Sequence, residues 1–327
     1  MSDKVAVEEV PVGAAKRTFG ARLKAHFKKW WWAHLIAFAA IVLIIALPVV
    51  YVGYPRIAQG DINDSTLTVE SMQIRDPAPD GFHLNQRQVI GSSSAWKPKI
   101  FAFDADVSLL GSSKFATVRV PDTRGRDGYV VNIDQRLNLT NAEEFSGFST
   151  AVIMSEEFKM NIYGEPGLKL GALPKVGIDY NKTVTMKGLN KLSGFAIETL
   201  NIQTNRTDGN NANGTVLIPN PSVLTLSMGN LTLDVSVNGT AIGKTFLNDL
   251  VIEPGDNHVP MLSRLNITQM IGIMRYLPAN STTIPLTIVG NSSVYNGQEI
   301  PYFTTALAAN TLTVGLDIAA VLEGAAS

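Results

Sequence analysis

Leu231-Thr-Leu-Asp-Val-Ser-Val237 sets an apolar residue at every second position, with Thr232, Asp234 and Ser236 between them. Successive side chains of a β-strand point to opposite faces, so a period of two describes a strand with one buried and one wet face. The same alternation runs through Phe101, Phe103, Ala105, Val107 and Leu109, interleaved with Ala102, Asp104, Asp106 and Ser108. It returns in Leu312, Val314, Leu316 and Ile318. Asp-Gly, Asn-Gly and Pro-rich stretches punctuate these runs, as turns between short strands require. Half-buried strands of this kind belong to antiparallel sheets packed face to face.

Outward from this strand, the chain matches itself at an offset of 128 residues. Leu67-Thr-Val-Glu-Ser-Met-Gln-Ile74 aligns with Phe195-Ala-Ile-Glu-Thr-Leu-Asn-Ile202, and Asp80-Gly81 with Asp208-Gly209. Asp106-Val-Ser108 and Gly111 fall on Asp234-Val-Ser236 and Gly239; Arg136-Leu-Asn-Leu-Thr140 falls on Arg264-Leu-Asn-Ile-Thr268. Separated matches at one shared offset predict two copies of one unit, 58–189 and 190–327. Each copy is expected to carry one short helix near its Arg-Leu-Asn motif. In the first, Thr140 and Glu143 have capping-box spacing ahead of Phe145, Phe148 and Val152. In the second, Ile267, Met270, Ile271 and Met274 form an apolar stripe at helical spacing.

Ahead of the repeat lie 26 residues without a formal charge, between Lys29 and Arg56. As a helix, the stretch from Ala33 to Val52 would reach about 30 Å, the thickness of a bilayer's hydrocarbon core. Trp30, Trp31 and Trp32 at one end, with Tyr51 and Tyr54 at the other, match interfacial aromatic belts. The run is too long, and its lead-in of 29 residues too extended, for a cleaved signal peptide, so 30–54 is expected to be a transmembrane signal-anchor. Arg22, Lys24, Lys28 and Lys29 precede it and Arg56 alone follows closely, which places 1–29 in the cytosol as a basic tail and the rest across the membrane.

Ten Asn-x-Ser/Thr sequons agree with that orientation. They begin at Asn63, Asn138, Asn181, Asn205, Asn213, Asn230, Asn238, Asn266, Asn280 and Asn291, all beyond the helix. In the tail, Phe19, Leu23 and Phe27 recur every four residues among Arg17, Arg22, Lys24, Lys28 and Lys29. Such a stripe with cations beside it suits an anionic cytosolic leaflet.

Composition narrows the chemistry. There is no cysteine, which excludes thiol catalysis, disulfides and cysteine-ligated zinc. The formal net charge is −1, and the excess of positive charge sits in the tail, so a nucleic-acid partner is not expected. His83 and His258 stand outside any metal-binding spacing, and neither a Gly-x-Ser-x-Gly elbow nor a phosphate-binding Gly-rich loop occurs. Asp122-Thr-Arg-Gly-Arg-Asp-Gly128 and Asp76-Pro-Ala-Pro-Asp-Gly81 read as solvated turns. No catalytic, cofactor-binding or metal residues are assigned.

Val216-Leu-Ile-Pro-Asn-Pro-Ser222, followed by Leu224, Leu226 and Asn238-Gly239, resembles the water-stress/hypersensitive-response domain of late-embryogenesis-abundant proteins. That resemblance implies an all-β architecture of tandem antiparallel sandwiches, similar to fibronectin type III domains. With Gly188-Leu-Asn-Lys-Leu-Ser-Gly-Phe195, the layout also resembles an uncharacterised-domain family of fungal single-pass membrane proteins. One relative in that group is a vacuolar membrane protein that helps terminate autophagy. The resemblance brings no catalytic residue. It implies a non-enzymatic, lumen-facing scaffold or regulator of the endomembrane system, at the vacuolar membrane, acting through a protein partner. The alternatives are a lipid or hydrophobic-ligand binder, a cell-surface glycoprotein at the plasma membrane, an endoplasmic-reticulum location, and a glycan-processing enzyme.

Overall fold

The structure is a computed structural model that describes residues 19–203, 207–275, 282–317 and 319. Arg17, Asn205, Asn280 and Ile318, named above, lie outside the described residues. The chain divides after Arg56 into two units.

The first unit contains α1 (Phe19–Pro48) and a π turn (Val49–Gly53). Helix α1 is long and apolar enough to cross a membrane. Leu35, Ile36, Phe38, Ile41, Ile44 and Ile45 are all more than half exposed, so its apolar surface runs around the helix without protein cover. A helix of that kind needs an apolar solvent. Trp30 leaves helical geometry at φ −116°, which kinks the helix where the tryptophans begin.

Helix α2 (Tyr54–Asp64) carries the chain into the β-rich unit. There follow β1 (Thr66–Ala78), β2 (Gly81–Gly91), β3 (Lys99–Ile100), β4 (Phe103–Leu109), β5 (Lys114–Val120), β6 (Thr123–Arg124) and β7 (Tyr129–Asn138). Helix α3 (Ala142–Met154) then leads to β8 (Glu157–Gly164), β9 (Gly167–Lys169), β10 (Val176–Gly177) and β11 (Tyr180–Lys187). The second half runs β12 (Ala196–Ile202), β13 (Ala212–Asn220), β14 (Leu224–Val237), β15 (Thr240–Ile252) and β16 (Gly255–Leu265). It ends with α4 (Ile267–Met274), β17 (Thr283–Tyr295), β18 (Gln298–Glu299), α5 (Pro301–Ala308) and β19 (Thr311–Asp317). The fold is all-β with an N-terminal apolar helix.

Strand pairings recur at the 128-residue offset. Thr68↔Val89, Val69↔Gln88 and Ser71↔Arg87 on β1–β2 reappear as Ala196↔Leu217, Ile197↔Val216 and Thr199↔Thr215 on β12–β13. The bulge is shared too, at Glu70 and Glu198. Leu84↔Gln135 becomes Ala212↔Ser263, and Thr183↔Asn161 becomes Thr311↔Val289. A one-residue slip would turn every inward side chain outward, so matched alternation holds matched register. The halves part where β15 pairs β16 over Gly243–Phe246, whereas β5 and β7 meet near a single bridge, Ala116↔Leu139. The second half therefore wraps its two layers into one sheet, while the first keeps β1–β2–β7 and β11–β8–β4–β5 as separate layers.

The halves are joined in three ways. Strand β1 pairs in parallel with β14, Met72 to Leu224 and Ile74 to Leu226, so one 11-stranded sheet crosses the joint. Helix α5 of the second half packs on α3 of the first. There Tyr302 meets Phe145 edge-on at 4.8 Å, and Phe145 stacks on Phe82 at 4.9 Å. Finally, the Tyr295 hydroxyl donates to Asp76 Oδ1 at 2.9 Å.

Three local expectations are corrected. The cap of α3 is Asn141, whose side chain accepts from the Glu143 and Glu144 amides, rather than Thr140 with Glu143. Thr140 is still held by its neighbour strand, its amide bonding Phe115 O at 2.8 Å. Phe101 lies outside β4, because Asp122 Oδ1 takes the Ala102 amide and breaks the ladder there. The second half carries α5 in addition to the expected α4. The 122–128 segment keeps Asp122, Arg124, Arg126 and Asp127 exposed, while Gly125 N bonds Pro98 O and Gly128 N bonds Ile90 O.

Candidate functional site

Strand β2 reads Phe82, Leu84, Gln86, Gln88, Ile90 along its inward face, all buried. Two amides thus occupy positions where period two demands apolar side chains. They face one another, Gln86 Nε2 to Gln88 Oε1 at 3.4 Å, a long and weak hydrogen bond. At the 128-residue offset the second half has Gly214 and Val216. Beside the amides lies a cavity of about 50 Å³ between the two layers of the first half. Phe103, Val107, Phe115, Ile133, Met160 and Tyr180 contribute to its apolar walls. Burial pushes the Tyr180 hydroxyl up to about 12, so it stays protonated there.

The corresponding void in the second half, walled by Met261, Met270 and Leu286 among others, is about 20 Å³. Helix α4 buries Met270 against it. The larger space is therefore beneath β2 of the first half, not beneath the Met270 helix. Its signal in the sequence is the pair of glutamines inside an alternating strand.

The ionisable groups that draw attention in the sequence sit on outer faces. His83 Nε2 contacts Asp134 Oδ1, and Asn85 donates to Asp134 Oδ2 at 3.1 Å. The hydrogen bond with His83 holds the Asp134 carboxyl below the usual range. His258 Nδ1 lies 2.9 Å from Glu198 Oε2, and that bond raises the imidazole pKa. The two pairs occupy different halves, and among the described residues neither is hydrogen-bonded to a serine. No group of three or more His, Asp or Glu suited to a metal ion occurs among the described residues.

Of the sequon asparagines that are described, Asn63, Asn138, Asn181, Asn230, Asn238, Asn266 and Asn291 are exposed. Asn213 is half-buried on β13, its Oδ1 enclosed without a hydrogen-bond partner. Asn266 caps α4 through the Gln269 amide at 3.0 Å. In the tail, Arg22, Lys24, Lys28 and Lys29 lie on α1, with Lys24, Lys28 and Lys29 exposed. Leu23 and Phe27 are about half exposed, at 48% and 50%.

Residues 113–235, less than half of the chain, match the family described as "Protein of unknown function (DUF3712)". A search of the curated proteins finds no match. Among solved structures, the periplasmic chaperone SfaE aligns at 11% identity, over 77% of this chain and 97% of its own, with a TM-score of 0.16. A bacterial adhesin from Mobiluncus mulieris aligns at 10% identity, over 70% of this chain and 79% of its own, with a TM-score of 0.21. Neither likeness carries an argument at such a score.

Proposed function

We propose that this chain is a non-enzymatic membrane-anchored binding protein of the fungal endomembrane system, its β-rich unit facing the lumen and acting as a scaffold or regulator at the vacuole. The observation that carries the proposal is the joint between the halves. A shared parallel strand pair and an aromatic helix contact tie the halves together, which supports reading the β-rich unit as a presenter of a fixed surface. The charge bias around α1 and the one-sided sequons support the orientation.

Protease added to intact organelles should remove no more than the cytosolic tail, and endoglycosidase should then lower the mass of the protected fragment. Digestion of the β-rich unit without detergent would end this reading. A fluorescent fusion distinguishes the vacuolar membrane from the plasma membrane. Photo-crosslinkers on the exposed face of the full chain should recover a lumenal protein, and hydrolysis of a glycan substrate by the purified chain would contradict the non-enzymatic assignment.

A second reading, binding of a small apolar ligand or lipid, is favoured by the cavity under Gln86 and Gln88. Size weighs against an acyl chain in this conformation. A cavity of roughly 150 Å³ is needed to hold benzene, about three times the present space. The layers would have to part, and the missing β5–β7 ladder is where the first half is free to do so.

A further inference from the structure

Three cations stand in a row on the small sheet of the first half. Lys99 on β3 is directly opposite Lys169 on β9 and Arg124 on β6. Direct cross-strand partners share a face, and the next rank, Leu168, Ile100 and Thr123, is buried. Lys169, Lys99 and Arg124 therefore all point outward, as their exposure shows. Like charges directly opposite one another destabilise a sheet. Only Lys99 has a carboxylate, Asp122 at 2.7 Å; Lys169 and Arg124 form no ion pair among the described residues. Lys97 and Arg126, both exposed, add to the same strand ends.

The row lies beside α2. Trp96, 56% exposed, shares a surface pocket with Asp61 and Ile62 of α2 and with Gly125, next to Arg124. The Trp96 amide bonds Ser94 Oγ at 3.1 Å, and Ser94 Oγ donates to Asp61 Oδ2 at 2.8 Å. Helix α2 is itself fixed to the unit, because Lys182 donates to the carbonyls of Ile62, Asn63 and Ser65 at its C-terminal end. Ile57 follows Val52 by only five residues, a reach of at most about 18 Å in any conformation. Chain connectivity alone thus ties the start of α2 to within that reach of the apolar run of α1. At the 128-residue offset, Trp96, Lys97, Lys99, Arg124, Arg126 and Lys169 correspond to Leu224, Thr225, Ser227, Ile252, Pro254 and Gly297. The half without a membrane helix carries none of the charge.

We propose that this face docks on the anionic phosphate headgroups of the leaflet that the β-rich unit faces, with Trp96 seated at the interface, so that the unit lies down on its own membrane. Acidic phospholipid in that leaflet would supply the charge complement, as it does on a cytosolic leaflet, and an indole is at home at headgroup depth. The inference rests on the membrane-anchored reading above.

The cysteine-free sequence permits a single reporter, Ser93→Cys labelled with an environment-sensitive dye, in the full chain reconstituted in nanodiscs. Recovery of the chain with the disc establishes anchoring separately; a chain that fails to enter discs refutes the anchor and the docking together. In anchored chains, phosphatidylcholine–phosphatidylserine discs should blue-shift the dye and bring it within energy-transfer range of labelled lipid, and phosphatidylcholine discs should not. At roughly fivefold per cation, Arg124→Gln with Arg126→Gln and Lys169→Gln should lower the docked-to-free ratio about a hundredfold. Lys159→Gln with Lys187→Gln, on other exposed strand positions, should leave it unchanged. Equal signals in neutral and anionic discs, or an unaltered triple variant, would overturn the proposal. So would displacement by millimolar inorganic phosphate, which would mark a site for a free anion.

Discussion

Asn220 illustrates how much a single side chain does at the turn between β13 and β14. Its Oδ1 accepts from the Ser222 amide at 2.9 Å and from Ser222 Oγ at 2.6 Å, while its Nδ2 donates to Leu224 O at 2.8 Å. Asn closes the turn, Pro221 ends the ladder, and Asn220, Ser222 and Leu224 are buried while Pro221 and Val223 face out. Asn220→Ala should cost about 2–3 kcal/mol in denaturant unfolding, because buried backbone groups lose partners that water cannot replace. A loss within the error of the measurement would show that the backbone holds the turn alone. His258 provides a pH signature on the opposite side. The hydrogen bond with Glu198, then its charge, raises the imidazole pKa from 6.5. A raised pKa means the pair's contribution is fully present below about 6.5 and is lost as pH rises through the folded value. NMR titration should therefore place His258 above 6.5, and Glu198→Gln should return it there. The group is exposed, so acid should tighten this pair without governing the stability of the chain.

Strand β2 shows where a regular element departs from its own pattern. Replacing Gln86 by Leu and Gln88 by Val together removes both ends of a poor hydrogen bond and lines the cavity with apolar side chains of similar volume. Such paired replacement is nearly neutral or stabilising, so the midpoint of unfolding should stay level or rise by about 1 kcal/mol. A clear drop would mean that the amides hold a buried polar partner, which would strengthen the ligand reading. Strands such as β14 were legible because one face is buried and the alternation runs unbroken from Leu231 to Val237, past the bulge at Gly229; Leu231, Leu233, Val235 and Val237 all point inward. The glutamines of β2 were legible in principle as two breaks in the same rule. Helix α5 escaped because it has only eight residues and no side-chain cap, and its one clear signal is Pro301 at the first turn. The basic row was beyond reach. Lys99, Arg124 and Lys169 are far apart in the sequence, and only the register of three short strands brings them together.

For the molecule as a whole, the joint decides whether the halves behave as one body. Pairing across β1 and β14 covers three residues on each side, too little to hold the halves without side-chain packing. Tyr302 supplies much of that packing. It is 1% exposed, with Phe145 at 4.8 Å and Phe303 at 4.7 Å, and its hydroxyl faces the Ala78 backbone without closing a hydrogen bond. Burial raises the pKa of that hydroxyl well beyond the working range, so the side chain acts there as a neutral aromatic. Truncating a buried aromatic to Ala leaves a cavity and costs about 3–5 kcal/mol. Tyr302→Phe keeps the ring and removes an unpaired polar atom, so it should be level with the parent or more stable. If the joint couples the halves, the parent unfolds in one transition when followed by hydrogen exchange in both halves. Tyr302→Ala should then lower protection on β2 and β7 in the first half as well as on β17 and β19 in the second. Protection lost only around β17 and β19 would show instead that the halves are independent bodies sharing a sheet edge, and the stiff-body basis of the scaffold reading would fall with it.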